Sequence, residues 1–286
     1  MTQLFLLVLK SCRGLGAAGL FVFVLMAGSQ PAQAAERAQI EAFLEVTGFD
    51  VALDSIAFAA AGAPEMLGFD AGSFGAEWTK LSEEVFETSA MRAIALDILE
   101  QTLDEEALAH AAEFYATPLG VRLVAAENAA HRVRDEEVKA EAGERIIADL
   151  VKEESPRVEL FKRLGRAIDA ADTGLKALQE IQFRFIMAAA AAGVIELELD
   201  ASELRAYLAE QDDALRMALE ASGLASSAYT YQGFSNAEIG AYAEALEHPR
   251  MQRVYELLNA VQYEITANRF EALAYRMKDL APEQDI

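Results

Sequence analysis

Leu103–Ala129 reads LDEEALAHAAEFYATPLGVRLVAAENA, and its pattern returns 131 residues later in Phe234–Ala260, FSNAEIGAYAEALEHPRMQRVYELLNA. At that constant offset Ala112, Glu113, Pro118, Arg122, Asn128 and Ala129 coincide with Ala243, Glu244, Pro249, Arg253, Asn259 and Ala260. The capping pattern repeats better than the letters do. Asp104 and Ser235 each stand where a side-chain oxygen can accept from the free amides of a helix start. Leu103 and Phe234 then fall just before the cap, and Leu108 and Ile239 fall one turn inside, the spacing of a hydrophobic staple. Ser235 with Glu238 adds a capping box. Each helix stops before Pro118 or Pro249, because the residue preceding proline avoids helical torsions. A new helix restarts at the proline, whose missing amide costs nothing in a first turn. Both segments therefore encode helix, proline corner, helix.

Outward from this unit the apolar period stays helical. Ile40, Phe43, Leu44, Thr47 and Val51 form one stripe at i, i+3, i+4 and i+7. Ala, Leu, Glu and Arg, all strong helix formers, dominate long proline-free runs. Val194–Leu199 (VIELEL) is the one strand candidate, with an extended linker as the alternative, and the fold class is all-α. The opening helices echo each other too: Ile40-Glu41-Ala42-Phe43 resembles Val158-Glu159-Leu160-Phe161 at an offset of 118. The change from 118 to 131 implies about thirteen extra residues in the second copy, near Ala188–Leu199. Ser155-Pro156 suits a helix start, with Ser as the cap and Pro at the first position, and marks the boundary. The expected organisation is two related helical bundles, 35–154 and 155–286, arising by internal duplication and preceded by a leader at 1–34.

The leader is read from its layout. Lys10 and Arg13 are the only charges before Glu36, an uncharged apolar stretch covers Gly14–Gly28, and Ala32-Gln33-Ala34 follows Pro31. A charged start, a short apolar core and an Ala-x-Ala exit describe a secretory signal peptide, and that core is short of the roughly 20 residues a membrane span needs. Cleavage near Ala34 and a periplasmic location are expected. Cys12, the only cysteine, would leave with the leader, so disulfides, thiolate nucleophiles and Cys-ligated metals are excluded from the mature chain. The full chain carries 24 basic and 47 acidic residues, net −23; without Lys10 and Arg13 it carries 22 basic against 47 acidic, net −25. Such an acidic surface excludes nucleic acid as a partner, because phosphates need a basic surface.

Phe114-Tyr115-Ala116-Thr117-Pro118-Leu119-Gly120, preceded by Asp104-Glu105-Glu106 and an apolar helix, resembles a bacterial family of exported helical domains, domain of unknown function 2059. Those domains centre on Phe-Tyr-x-Ser/Thr-Pro-x-Gly. The resemblance runs over about Leu81–Val133 and implies a periplasmic all-helical protein with no assigned activity. The second copy, Ala245-Leu246-Glu247-His248-Pro249-Arg250-Met251, keeps the proline but lacks the aromatics and the glycine, so a function tied to the motif belongs to the first half.

On its own physics the motif is first a packing device. Phe114 and Tyr115 close one helix, Thr117 caps the next, Pro118 fits its first turn, and Gly120 lets two helices approach closely. The functional reading is a groove floored by Tyr115, with Arg122 available for an anion. Glu106, His110 and Glu113 share a helix face, as do Glu244 and His248, but the paired Glu-x-x-His of di-metal bundles is missing, and no metal or cofactor is expected. Ser-elbow, phosphate-loop and His-Glu-x-x-His motifs are likewise missing, and no catalytic residue is assigned. Ile186–Ile195 (IMAAAAAGVI) is too short to span a membrane and suits a buried helix. Arg157, Lys162, Arg163 and Arg166 form a small basic face expected to pair with neighbouring acids. The expectation is a non-catalytic protein-interaction or chaperone-like envelope module, whose partner is an unknown envelope protein. The alternative is a carrier of a small apolar or anionic ligand held between helices, and a carboxylate hydrolase ranks third.

Overall fold

The computed structural model describes residues 35–69 and 74–280, and the leader with its Ala32 and Ala34 lies outside them. Fourteen α-helices and one short 3₁₀ turn make up the described chain, with no strand among its residues. In the first half these are α1 (Arg37–Thr47), α2 (Phe49–Ala59), α3 (Ala63–Met66), α4 (Gly75–Val85) and α5 (Thr88–Thr102), followed by α6 (Glu105–Tyr115), α7 (Pro118–His131) and α8 (Glu136–Lys152). The second half holds α9 (Arg157–Ala167), α10 (Ala170–Ala191), α11 (Ala201–Ala209), α12 (Asp212–Thr230), α13 (Asn236–Leu246) and α14 (Pro249–Met277).

The local rules decide where these helices begin. Asp104 accepts from the amide of Ala107 at 2.8 Å, and Thr117 Oγ1 accepts from the amide of Gly120 at 3.0 Å. Ser235 accepts from the amide of Glu238 at 3.3 Å, while the Glu238 carboxylate accepts from the Ser235 amide at 2.8 Å. At the second corner His248 does the work of Thr117: its Nδ1 accepts from the amide of Arg250 at 3.2 Å. Leu103, Leu108, Phe234 and Ile239 are all buried, as staple residues should be. The 155–156 start differs by one residue: Pro156 takes the cap position and α9 begins at Arg157, although Ser155 Oγ still accepts from the Arg157 amide at 3.4 Å. Proline's fixed torsion suits either place. Val194–Leu199 lies in the irregular stretch between α10 and α11, the linker alternative, since no second strand is at hand to pair with it.

Neighbour relations repeat between the halves. Helix α1 packs on α2, α5 and α6, and α9 packs on α10, α12 and α13. Helix α2 meets α5 and α7, while α10 meets α12 and α14. Phe43 of α1 and Phe161 of α9, the paired residues of the opening helices, are both buried. Helix α10, at 22 residues, is twice the length of the 11-residue α2, and its added length includes the buried Ala188 and Ala189.

One apolar core runs across the 154/155 boundary. The 29-residue α14, about 43 Å long at 1.5 Å per residue, lies along α10 and also touches α4, α5 and α6. Phe86, Phe270 and Phe185 meet edge to face in series, each pair 5.4 Å apart between centroids. Helix α8 packs along α12, and the two approach closely at Gly143, where an added Cβ would overlap the Ala225 backbone. Gly120 serves the corner in the same way, since a Cβ there would overlap the Phe114 carbonyl and the Tyr115 backbone.

Candidate functional site

A cavity of about 800 Å³ opens between α9 and α12, and its inner end reaches α7, α13 and α14. This volume is in the range of pockets that hold drug-sized ligands. Its walls are mostly apolar and include Phe161, Leu164, Ile168, Leu219, Leu224 and Leu246. These positions follow from helical periodicity: Phe161 and Leu164 lie at i and i+3 on one face of α9, and Ile168 at its C-cap continues that face at i+7.

The inner end is polar. Glu127 stands near the end of α7, and Tyr231, Tyr242 and Tyr255 come from the end of α12, from α13 and from the second turn of α14. Glu127 Oε1 accepts from the Tyr231 hydroxyl at 2.8 Å and from the Tyr242 hydroxyl at 3.0 Å. The Tyr242 and Tyr255 hydroxyls lie 2.9 Å apart, and that of Tyr255 is also bonded to Tyr115. Each phenol has one proton to give. With Tyr242 donating to Glu127, Tyr255 must donate to Tyr242, and Tyr115 to Tyr255. The donors therefore point one way, from the buried corner of α6 toward one carboxylate oxygen. Rings reinforce this order: Phe114 stacks on Tyr242 at 5.9 Å, and Tyr231 meets Tyr242 edge-on at 5.8 Å.

Burial sets the titration of this cluster. It raises the Glu127 carboxyl above its ordinary range, although the two phenol donors oppose the shift. It also raises Tyr115, Tyr231 and Tyr242 well above the ordinary phenol range, with the nearby carboxylate adding to the shift. His131, one turn beyond Glu127, is held down by burial and by the charge of Lys139. Arg157 fixes the turn that carries Tyr231, donating to the Tyr231 carbonyl at 2.6 Å and to Asn236 Oδ1 at 3.1 Å.

The motif residues surround this cluster without lining the cavity. Tyr115 is 3% exposed, meets Phe43 edge-on at 6.2 Å, and reaches the cavity only through Tyr255. Phe114 is half-buried against Tyr115 and Tyr242. Thr117, Pro118 and Gly120 build the corner described above. Arg122 is exposed, pairs with Glu238 and lies 4.8 Å over the Phe234 ring. Glu238 stays ionised down to a pH of about 2, mainly because of the Ser235 amide and hydroxyl, with Arg122 adding to them. His110 and His248 do not share a metal-like set with their helix carboxylates; their rings stack on each other at 4.0 Å. In the basic face, Lys162 pairs with Glu159 at 2.7 Å and Arg163 forks onto Glu247, its Nε at 2.6 Å.

Sequence reasoning missed Glu127, Tyr231, Tyr242 and Tyr255. The one available signal was compositional, since seven of the eight tyrosines follow residue 200.

Residues 89–149 match the family model described as "Uncharacterized protein conserved in bacteria (DUF2059)". The matched segment covers nearly all of α5 through most of α8, and so takes in the Phe114–Gly120 corner and Glu127. No curated protein and no solved structure matches the chain.

Proposed function

Because residues 89–149 match the DUF2059 family model, whose description names no activity, we propose a function from the cavity: the protein is a non-catalytic carrier that holds a small, largely apolar ligand between α9 and α12. One observation carries this reading, a cavity of about 800 Å³ with apolar walls and a polar inner end. A protein-interaction surface at the Phe114–Arg122 corner has less support, because Tyr115 is turned into the core and Arg122 is engaged by Glu238. The repeated neighbour relations of α1 with α9 and α2 with α10 support an internal duplication that opened this pocket in its second copy. The carrier works in the periplasm once the leader is removed after Ala34. An intact mass beginning at Ala35 is expected for protein recovered from that compartment, and retention of residues 1–34 would refute the export reading.

The carrier reading is tested with a neutral fluorescent probe, N-phenyl-1-naphthylamine. Gly165 on α9 and Gly223 on α12 both line the cavity, and a Cβ on either would meet nothing within 4 Å. Gly165→Trp with Gly223→Trp should therefore fill the space without unfolding the chain. Saturable one-to-one binding that the double variant abolishes, at an unchanged melting temperature, is the expected result. Probe binding unaffected by the two tryptophans would refute the cavity as the site.

A further inference from the structure

We infer that the cavity takes the ammonium end of a small amphipathic molecule at Glu127, an assignment that rests on the carrier reading above. Glu127 is a carboxylate at the inner end of an apolar pocket, and no Lys, Arg or His among the described residues lies within ion-pair distance of it. Of the basic side chains that line the cavity, Arg166 lies near Glu159 and Glu247, and three others are engaged in ion pairs elsewhere. Lys139 pairs with Glu136 and Lys162 with Glu159, each at 2.7 Å, and Arg216 pairs with Asp172. Burial and the charge of Lys139 hold His131 below the ordinary imidazole range.

A carboxylate removed from water is costly unless an opposite charge or hydrogen bonds compensate it. Two phenols serve Oε1, yet burial still outweighs them and lifts the carboxyl pKa. The missing element is a positive charge, and no described residue supplies it in an ion pair with Glu127. A bound ammonium would supply it. The Tyr231 hydroxyl donates to Glu127, and its oxygen keeps lone-pair capacity for an N–H. The rings of Tyr231, Tyr242 and Tyr255 gather at the same end, and aromatic faces attract cations. The apolar walls toward the opening suit an alkyl or aryl body. An anionic head group, by contrast, would meet an uncompensated carboxylate.

Isothermal titration of the native chain with n-decylammonium, n-decanol and n-decanoate, each below its micelle concentration at pH 7, tests the assignment. Decylammonium should bind about tenfold or more tightly than decanol, as a charge-assisted bond implies, and decanoate most weakly. Glu127→Gln keeps an oxygen for both phenols but removes the charge. It should bring decylammonium to the decanol level and leave decanol unchanged. Tighter binding of decanoate than of the amine, or an equal effect of Glu127→Gln on amine and alcohol, would overturn the assignment. Should that variant lose its helical circular-dichroism melt, the head-group ranking on the native chain decides alone. If all three bind equally, only the ammonium assignment falls. If none binds, the carrier reading falls with it.

Discussion

The one-way donor chain makes a ranked prediction about three phenylalanine substitutions. Tyr115 donates first and, by the directionality, its oxygen accepts from no phenol. Tyr115→Phe therefore removes one neutral bond and leaves no stranded donor, a loss of about 1 kcal/mol. Tyr255→Phe removes its neutral bond to Tyr242, about 1 kcal/mol, and strands the Tyr115 O–H in the core, where Tyr115 is 3% exposed; about 3 kcal/mol is expected. Tyr242→Phe removes a bond to a carboxylate and strands the Tyr255 O–H, while the Tyr242 ring itself is 3% exposed. A charged bond contributes about 1.5–3 kcal/mol and a stranded donor costs a further 1–3, so about 4 kcal/mol is expected. For a chain of this size, that is a fall in Tm of roughly 10 °C for Tyr242→Phe against about 3 °C for Tyr115→Phe. Urea unfolding followed by circular dichroism, with m held constant across the series, measures all three. A Tyr115→Phe variant as damaging as Tyr242→Phe would refute the directionality, because it would put the stranded donor at the wrong end.

Two further outcomes are expected. Gly143→Ala forces a Cβ into the Ala225 backbone, so α8 must move from α12; overpacking of this kind costs about 1–3 kcal/mol, and an unchanged Tm would contradict the close approach. Glu238, with its folded-state pKa lowered to about 2, contributes stability that is complete above its ordinary value of 4.5 and is lost as pH falls through 2; Glu238→Gln should therefore flatten part of the Tm loss between pH 4.5 and pH 2, and an identical acid limb would show that the capping box does not hold the carboxylate.

The helices and their corners were legible because their causes are local. Asp104, Thr117 and Ser235 cap amides three residues away, and Pro118 and Pro249 forbid continuation of the helices before them. His248 as a cap was not foreseen, since histidine is uncommon there, yet its aligned position opposite Thr117 carried the hint. The role of Gly120 was legible as well, because a glycine two residues after a corner proline suits close approach. Glu238 was legible as a capping residue, while its partner Arg122, 116 residues away, was not. An aromatic pair at a corner says nothing about which side it faces, so the sequence offered packing first for Tyr115 and a groove floor as the functional reading. Burial and the Tyr255 bond turn it inward.

The sequence by itself determined the helical class, the proline corners and the caps, since these depend on torsions and hydrogen bonds spanning a few residues. Only the tertiary structure decided the cavity and its polar end. Tyr115 meets Tyr255 across 140 residues, Glu127 meets Tyr242 across 115, and Glu127 meets Tyr231 across 104. No periodicity encodes such separations. They are set by how α12 and α14 pack against helices of the first half, which gathers four phenols around one carboxylate that has no counter-charge among the described residues.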